Sequence, residues 1–519
     1  MSRKLKTTAF NLSYSNALSF NIGDLVPIYL EDVVPGDHFK ITPDFYVKFA
    51  PMVFPILQRI EAKIKYFFVP NRIIFKRWEK FITGGKNGTD VINPPFINAY
   101  NVPEKYRGDG TLLDYLGYPD FPSGGQSRSA PDYNALLPFL YQLVWNEYFR
   151  DETLSHDFRD VFMHAPDSPD DETEVDAADF ANHINDYPAQ EVFQDELFTI
   201  RKVAWKKDYF TTASPWAQRG AEVHIPNNLN PFDVVDIDSS DSQLHDATFT
   251  ESGSGDSLSL YGKYDASDDQ PLGTLNQFYQ ASALQRFLQK AILGSRYIEQ
   301  IANFFHVRVP DYRLNRPEYI GGLSKVVQIS EILQTSESTS ESALGTYAGK
   351  GAVGGVGKTL DFRVKEHGWI IGIMFIRPDA SYFQGIRRNL FREDRFDYFW
   401  PQFQGIGQQP ILKKELFAER DNGDTNDQVW GYQDRYSEYK FHNNEIHGDF
   451  RSSMDSWTMA RKFLGVPGLT AYFTQVDSDA TGNNRVFVVP SAKSTLYGVV
   501  NNNVIAYRPR LENDPYHSI

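Results

Sequence analysis

A glycine-rich segment in the second half of the chain carries the residue types of a phosphate-binding loop. Residues 352–359, AVGGVGKT, match the pattern G-x-x-x-x-G-K-[ST] except that alanine replaces the first glycine. Such a loop needs a strand before it and a helix after it, so that backbone amides face the phosphates. Here a polar, serine-rich stretch precedes the segment, and a strand-like run, LDFRV at 360–364, follows it. The sequence therefore favours a flexible glycine-rich loop at 345–358, with a nucleotide site at Lys358 as the alternative.

Other residue patterns that could support chemistry are weak. His442 and His447 are five residues apart, which suits neither one helix face nor one strand face. The chain has no cysteine, no H-E-x-x-H and no G-x-S-x-G, so neither a zinc site nor a hydrolase nucleophile is supported. The acidic run DNGD at 421–424 lacks the spacing of a calcium loop and is more typical of a solvated turn. We expect no catalysis, no cofactor and no metal site.

Basic and aromatic residues alternate at 387–396, RRNLFREDRF. Such a mixture can contact phosphates and stack on the bases of single-stranded DNA. Arginine and aromatic residues are also enriched in protein interfaces, and we favour a subunit contact here. The basic N-terminus can line an interior and touch nucleic acid, or it can be a solvated tail. The candidates for contact with single-stranded DNA at an inner surface are Arg3, Lys4, Lys6, Arg387, Arg388 and Arg392.

The overall composition limits the function classes. The 519-residue chain has a formal net charge of −15, which argues against a dedicated nucleic-acid-binding protein. Aromatic residues make up 15% of the chain, which fits either an aromatic-rich β core or extensive contacts between subunits. No apolar run approaches the roughly 18 residues of a membrane helix, and the basic N-terminus has no apolar signal-peptide region behind it. We expect no membrane insertion, and a chain without cysteine suits a reducing cytoplasm.

Strand patterns dominate the chain. In residues 60–68, IEAKIKYFF, apolar residues alternate with charged ones, which predicts a strand with one buried and one polar face, as in an antiparallel sandwich. Further strands are expected at 369–376 and 486–489. Residues 496–500 and 504–507 flank Asn501-Asn502-Asn503, and because asparagine tolerates left-handed turns this predicts a hairpin.

Helical spacing is confined to a few places. Residues 133–163 are expected to be partly helical, and 275–305 to hold two helices, the first ending at Gly294. The acidic segment 152–200 is predicted to be a surface excursion with a short helix around Phe180 and Ile184. The segment 221–274 is rich in Asp, Ser and Gly, which predicts an exposed loop or protrusion.

Ordered motifs along almost the whole chain resemble those of the major capsid proteins of the family Microviridae, in particular the gokushovirus branch. In chain order they are FNLS at 10–13, GDLVP at 23–27, VVPGD at 33–37, APM at 50–52, FFVPNR at 67–72, FITGG at 81–85, WNEYFRD at 145–151, DYFT at 208–211, PWAQRG at 215–220, GSRY at 294–297, RPEYIGG at 316–322, EHG at 366–368, YFWP at 398–401 and GYQDRY at 431–436.

The resemblance implies a fold and a function. The fold is mainly β: an eight-stranded antiparallel jelly roll with long loop and helical insertions, formed discontinuously by residues 1–519 as a single domain. The function is a T=1 icosahedral shell of 60 copies around a circular single-stranded DNA genome. The partners that the resemblance implies are a small basic DNA-packaging protein and scaffolding or pilot proteins that act in assembly. The implied location is the virion, assembled in the cytoplasm of a host bacterium.

The resemblance also gives a role to the segment 221–274. Gokushovirus capsids carry a protrusion at each threefold axis, and by analogy this insertion would project outward and could contact a receptor on the host cell. A variable loop without a receptor role is the alternative. Residues expected to support the protrusion are Phe232, Phe249, Leu258, Tyr261 and Tyr264. A competing function for the whole chain is a jelly-roll attachment spike that binds glycans.

Overall fold

Strands are spread over the whole chain in the computed structural model, which describes residues 5–98, 102–119, 132–160, 190–220, 223, 275–291, 296–333, 347–420, 423–479, 482–489 and 494–511. The strands are β1 Leu5–Asn11, β2 Tyr14–Phe20, β3 Val26–Val33, β4 His38–Phe49, β5 Ile60–Pro70, β6 Phe96–Asn98, β7 Asp132–Asn134, β8 Glu318–Val326, β9 Gln328–Leu333, β10 Tyr347–Val356, β11 Leu360–Arg363, β12 Gly368–Pro378, β13 Ser381–Tyr382, β14 Gln408–Leu412, β15 Val429–Asp434, β16 Asn444–Glu445 and β17 Leu496–Leu511.

Helices occupy the connections between the strands. The α-helices are α1 Asn71–Ile74, α2 Trp78–Thr83, α3 Leu112–Tyr115, α4 Leu136–Tyr148, α5 Gln190–Phe198, α6 Leu275–Ala291, α7 Tyr297–Phe305, α8 Lys413–Leu416, α9 Gly423–Asn426, α10 Ser437–Lys440 and α11 Ala471–Thr474. Single 3₁₀ turns lie at Glu104–Tyr106, Asp311–Leu314, Arg388–Leu390, Arg395–Asp397, Pro401–Phe403, Gly448–Arg451, Asp455–Trp457 and Asn483–Val486.

Two antiparallel sheets form the centre of the larger unit, which comprises Met1–Ala217 and Ser295–Ile519. The first sheet has the order β1-β17-β4-β10-β9; β2 also pairs with β17, and β11 with β4. The second sheet has the order β3-β12-β5-β8. The predicted mainly β fold is confirmed, and the two sheets are consistent with a jelly roll. The first sheet holds seven strands because β17 and β4 are each long enough to pair with two shorter strands end to end.

Strand β5 confirms the alternation predicted for residues 60–68. Ile60, Ala62, Ile64, Tyr66 and Phe68 are all buried, on the face from which the Tyr66 hydroxyl reaches β17 in the opposite sheet. The other face is polar only in its first half, because Phe67 packs against Tyr148 at 4.7 Å between ring centroids. A helical layer therefore covers part of the second sheet. The strand expected at 369–376 is also confirmed as β12, but the one expected at 486–489 is wrong, because Val486 ends the 3₁₀ turn Asn483–Val486 and no strand follows it at 487–489.

The hairpin predicted around Asn501-Asn502-Asn503 is wrong. Residues Leu496–Leu511 form one continuous strand that pairs with β4 without a break from Leu496 to Tyr507. Asn502 is fully buried, and its side chain donates to the carbonyl oxygen of Ile28 at 3.0 Å. Asn501 is held by the Asp44 carboxylate at 3.2 Å. The asparagines thus satisfy partners in the sandwich instead of forming a turn.

The prediction of a flexible glycine-rich loop at 345–358 is also wrong for residues 347–358, which the structure describes. Residues Tyr347–Val356 form β10, between β4 and β9. Glycine is needed here because aromatic rings of β4 pack directly against the β10 backbone. A Cβ on Gly351 would lie 2.9 Å from the Phe49 ring, and a Cβ on Gly354 would lie 2.9 Å from the Tyr46 ring. Because β11, not a helix, follows Lys358, the segment lacks the geometry of a phosphate-binding loop.

The helix predicted within 133–163 is confirmed. Helix α4 lies within the expected 133–163 and buries Leu136, Leu140, Leu143 and Val144. Both ends of the acidic segment 152–200 include buried residues, because Phe158 and Leu197 are fully buried. The region around Phe180 and Ile184 lies outside the described residues.

The smaller unit is Gln218–Gly294. Its described part is mainly α6, which together with α7 of the larger unit confirms two helices within 275–305. Gly294 lies outside the described residues. The same holds for all five residues proposed for the protrusion, namely Phe232, Phe249, Leu258, Tyr261 and Tyr264.

Candidate functional site

The segment 387–396 does not present three free arginines. Arg388 donates to the Glu415 carboxylate at 3.0 Å and to the Pro410 carbonyl oxygen at 2.6 Å. Arg392 donates to Glu438 at 3.2 Å. Arg387 forms an ion pair with Glu445. Because a carboxylate already neutralises each guanidinium, little net positive charge is left for DNA phosphates.

Glu415 is the most buried member of this group. At the start of α8 one oxygen of its carboxylate accepts from the Leu412 backbone amide at 2.9 Å, and the Tyr209 hydroxyl donates to the other oxygen at 2.9 Å. Burial raises the pKa of Glu415, and the nearby charge of Arg388 opposes that effect. The pair with Arg388 is therefore an internal structural contact that fixes the position of the segment.

Large exposed apolar side chains lie on this segment and at positions after it, between residues 390 and 441. Leu390 is 72% exposed and Tyr439 is 69% exposed, and the Tyr439 ring stacks on Phe399 at 4.5 Å. We call this set the 390–441 surface; it consists of Leu390, Phe396, Tyr398, Trp400, Ile406, Tyr439 and Phe441. A cavity of about 550 Å³ adjoins it, with the three arginines in its wall. A group of large apolar side chains exposed on the surface of a folded protein is typical of a protein–protein interface.

The N-terminal basic residues lie elsewhere. Lys6 is exposed on β1, opposite Arg510 of β17, and it does not line the cavity beside the 390–441 surface. Arg3 and Lys4 are outside the described residues. The structure therefore brings Arg387, Arg388 and Arg392 together and places Lys6 apart from them.

A cluster that the sequence analysis missed joins several of its motifs. At the end of α4, the Glu147 carboxylate accepts from Arg316 at 2.8 Å, and Asp157 accepts from Arg159 at 2.7 Å. Arg296 donates to the Asn146 carbonyl oxygen at 2.5 Å. These residues line a cavity of about 760 Å³. The motifs WNEYFRD, GSRY and RPEYIGG each supply a member of the cluster. The charged residues inside these motifs are the only signal that the sequence offers, and it does not show that they come together.

Asp157 is the acid most affected by this cluster. Burial alone would raise its pKa, but hydrogen bonds and the positive charge from Arg159 outweigh burial and lower the pKa to about 2. The arginine-rich cluster is therefore an ion-pair network that ties segments far apart in the chain onto α4.

Comparison with known protein families decides the assignment. Residues 2–512 match the family model described as capsid protein (F protein). The chain belongs to this capsid protein family.

Three similar proteins match this chain over most of both lengths. Capsid protein VP1 of Bdellovibrio phage phiMH2K is 30% identical, covering 90% of this chain and 87% of that protein. Capsid protein VP1 of Chlamydia phage 1 is 27% identical, covering 94% and 91%. Capsid protein VP1 of Spiroplasma virus 4 is 25% identical, covering 90% and 87%. The resemblance to gokushovirus-type Microviridae is confirmed.

Membership of a capsid protein family gives the chain a structural role as a major capsid protein that self-assembles into a shell, and it places the chain in the virion. The attachment-spike alternative is not favoured. Among the described residues, no helix is long and apolar enough to cross a membrane, and no group of three or more His, Cys, Asp or Glu side chains is arranged to hold a metal ion.

Proposed function

We propose that the chain builds a T=1 shell of 60 copies around a circular single-stranded DNA genome, and that the 390–441 surface forms part of a seam between subunits. The observation that supports the seam is the exposure of seven large apolar side chains between residues 390 and 441, together with three arginines whose charges are paired with Glu415, Glu438 and Glu445. A second copy would bury these rings, and burial of apolar area drives association.

The seam is tested by adding charge to it. We expect Leu390→Asp to reduce the yield of shells at least tenfold when the chain is co-expressed with its phage partners, because a carboxylate cannot be buried unpaired in an apolar contact. Negative-stain electron microscopy and sedimentation measure the shells, and circular dichroism checks that the unassembled chain is folded.

The matched control is Leu464→Asp, which adds the same charge at a residue that is 97% exposed and outside the 390–441 surface. Shells from Leu464→Asp at wild-type yield, together with loss in Leu390→Asp, would support the seam. Normal shells from Leu390→Asp would contradict it.

The segment 221–274 is proposed to form an outward protrusion at the threefold axis, with contact to a host receptor as its possible role. The proposal is supported by the Asp-, Ser- and Gly-rich composition of the segment. Replacing residues 221–274 with a short Gly-Ser linker should give shells of normal diameter without knobs. Shells that keep their knobs would contradict the assignment.

Contact with the genome is proposed for the N-terminal residues Arg3, Lys4 and Lys6. The ion pairs of Arg387, Arg388 and Arg392 favour the subunit contact over DNA for the second basic segment. A net charge of −15 leaves the genome to be neutralised mainly by other cations, which supports a small basic DNA-packaging protein as partner. Scaffolding or pilot proteins and assembly in the bacterial cytoplasm complete the proposal.

A further inference from the structure

A second cavity lies on the outer face of the second sheet, bounded by β5, β12, the end of α4, the start of α7 and residues 203–211. Its volume is about 380 Å³. Seven lysine and arginine residues and three acidic residues line it, so its formal charge is 7 − 3 = +4, in a chain whose net charge is −15. We call it the Lys65 cavity.

Only three of the seven cations are paired. Lys63 pairs with Glu61 at 2.9 Å, Arg150 with Asp157 at 3.8 Å and Arg296 with Glu152 at 4.0 Å. The remaining four make no ion pair within the described part of the chain; they are Lys65, Lys206, Lys207 and Arg377.

The acidic residues in the wall are already engaged. Asp151 accepts from the backbone amides of Thr153 and Leu154, and Glu299 accepts from the Arg296 amide at 3.4 Å. Neither forms an ion pair with the four remaining cations among the described residues, although the charges of Glu299 and Lys207 attract each other, so the positive charge of the cavity is compensated only in part.

Lys65 is the clearest case of an uncompensated charge. Its ammonium nitrogen lies 4.9 Å from the centre of the Phe149 ring, which gives it a weak cation–π contact. Burial lowers the pKa of Lys65, and the neighbouring charges of Lys63 and Arg377 lower it further. An anion in the cavity would reverse the effect of these like charges.

Two buried N–H donors in the wall have no acceptor among the described residues. One is the indole Nε1 of Trp205, a residue only 4% exposed, and the other is the Nε of Arg150. Both residues line the Lys65 cavity. A buried donor without an acceptor costs about 1–3 kcal/mol, so native structures rarely leave one unmatched.

We propose that the Lys65 cavity binds a phosphate group. Glu61 and Asp157, which pair with Lys63 and Arg150 from outside the cavity wall, reduce the excess charge to 4 − 2 = +2. Phosphate carries more than one negative charge and several acceptor oxygens, so it matches both this excess and the two donors, whereas a single carboxylate supplies only one charge. The volume accommodates an anion of the size of pyrophosphate. The group belongs either to a free phosphate anion or to the backbone of a nucleic acid.

Isothermal titration of the unassembled full-length chain with pyrophosphate at low ionic strength tests the site. The wild-type chain should bind pyrophosphate, and Lys206→Gln/Lys207→Gln should weaken binding about fivefold, because both residues are exposed and their charges are partly screened. Lys65→Met keeps the apolar stem and should weaken binding about tenfold or more. The exposed Lys206 and Lys207 allow this test without disturbing the fold.

The matched control is Lys48→Gln/Lys325→Gln, which removes two exposed lysines that do not line the cavity. No binding by the wild-type chain, or an equal loss in the control, would overturn the proposal. Displacement of pyrophosphate by a short oligodeoxynucleotide would assign the phosphate to a nucleic-acid backbone, and no displacement would assign it to a free anion. Because the unassembled chain is titrated, failure here leaves the shell proposal untouched.

Discussion

The hydroxyl of Tyr66 on β5 donates a hydrogen bond of 3.3 Å to the side-chain oxygen of Asn502 on β17, across the interior between the two sheets. Both residues are fully buried. The Asn502 amide nitrogen continues the chain of bonds to the Ile28 carbonyl oxygen at 3.0 Å. A polar link inside an apolar sandwich fixes the alignment of the sheets, because a shift would break both of these hydrogen bonds.

We expect Asn502→Ala to destabilise the chain by about 1–3 kcal/mol, since it leaves the buried Tyr66 hydroxyl without a partner and the Ile28 carbonyl oxygen with only the Asn16 side-chain amide, at 3.3 Å. Urea unfolding of the unassembled chain, followed by fluorescence, measures the change. Tyr66→Phe removes only the hydroxyl that donates to Asn502. Together with Asn502→Ala and the double variant, it completes a double-mutant cycle for this hydrogen bond. Strictly additive effects of the two substitutions would show that the hydrogen bond contributes nothing.

A second prediction concerns the ion pair between Arg316 and Glu147. The two side chains are 13% and 14% exposed, and Arg316 also donates to the Glu147 carbonyl oxygen at 2.9 Å. Arg316→Met should destabilise the chain by about 3 kcal/mol, because it leaves a largely buried carboxylate short of a partner. Arg316→Lys should recover only part of the loss, since lysine lacks the planar fork.

The control for this pair is Arg313→Met, an exposed arginine three residues away, which should change stability by less than about 0.5 kcal/mol. Thermal unfolding monitored by circular dichroism compares the three variants. A full recovery in Arg316→Lys would mean that charge alone, and not the two-point geometry, holds the segment to α4.

Local sequence patterns predicted a strand correctly where apolar and charged residues alternate along it. They gave a wrong prediction where a residue distant in the chain determines the conformation. The alternation of residues 60–68 was sufficient for β5. The asparagines at 501–503 read as a turn because the partner of Asn502 is Tyr66, at the other end of the chain. The glycines of β10 read as a loop because the rings of Phe49 and Tyr46, which require them, come from β4.

The same reason limits prediction of the site. The sequence singled out Arg388 and Arg392, because arginines among aromatic residues are visible locally. Their carboxylate partners, Glu415 and Glu438, lie 27 and 46 residues further along, and no pattern in the sequence connects them. The sequence therefore suggested that both guanidinium groups were free to bind phosphate. Only the fold shows that carboxylates already pair with them.

Asp157 gives a prediction for acid stability. Its pKa in the folded chain is about 2, below the value of about 3.9 expected after unfolding. A lowered pKa means that the ionised carboxylate stabilises the fold above pH 4 and that this contribution is lost as the pH falls towards 2. The contribution is about 2 kcal/mol. Asp157→Asn should therefore be less stable than the wild-type chain at pH 6 by about this amount.

Denaturant unfolding of both chains at several pH values checks the sign. The difference between wild type and Asp157→Asn should shrink between pH 4 and pH 2, because the wild-type carboxyl becomes protonated there. A difference that stays constant down to pH 2 would mean that the substitution acts through hydrogen bonding alone and not through the charge of Arg159.

The last prediction distinguishes a strand from a loop at the glycine-rich segment. A Cβ on Gly349 would lie 2.5 Å from the Phe54 carbonyl oxygen and 2.9 Å from the Pro55 Cα, and backbone atoms cannot move aside as a side-chain end can. Gly349→Ala should therefore destabilise the chain by about 1–3 kcal/mol. Gly465→Ala is the control, because a Cβ there meets nothing within 4 Å. Since a flexible loop would tolerate alanine at both positions, equal unfolding midpoints for the two variants would contradict the placement of β10 against the chain at Phe54.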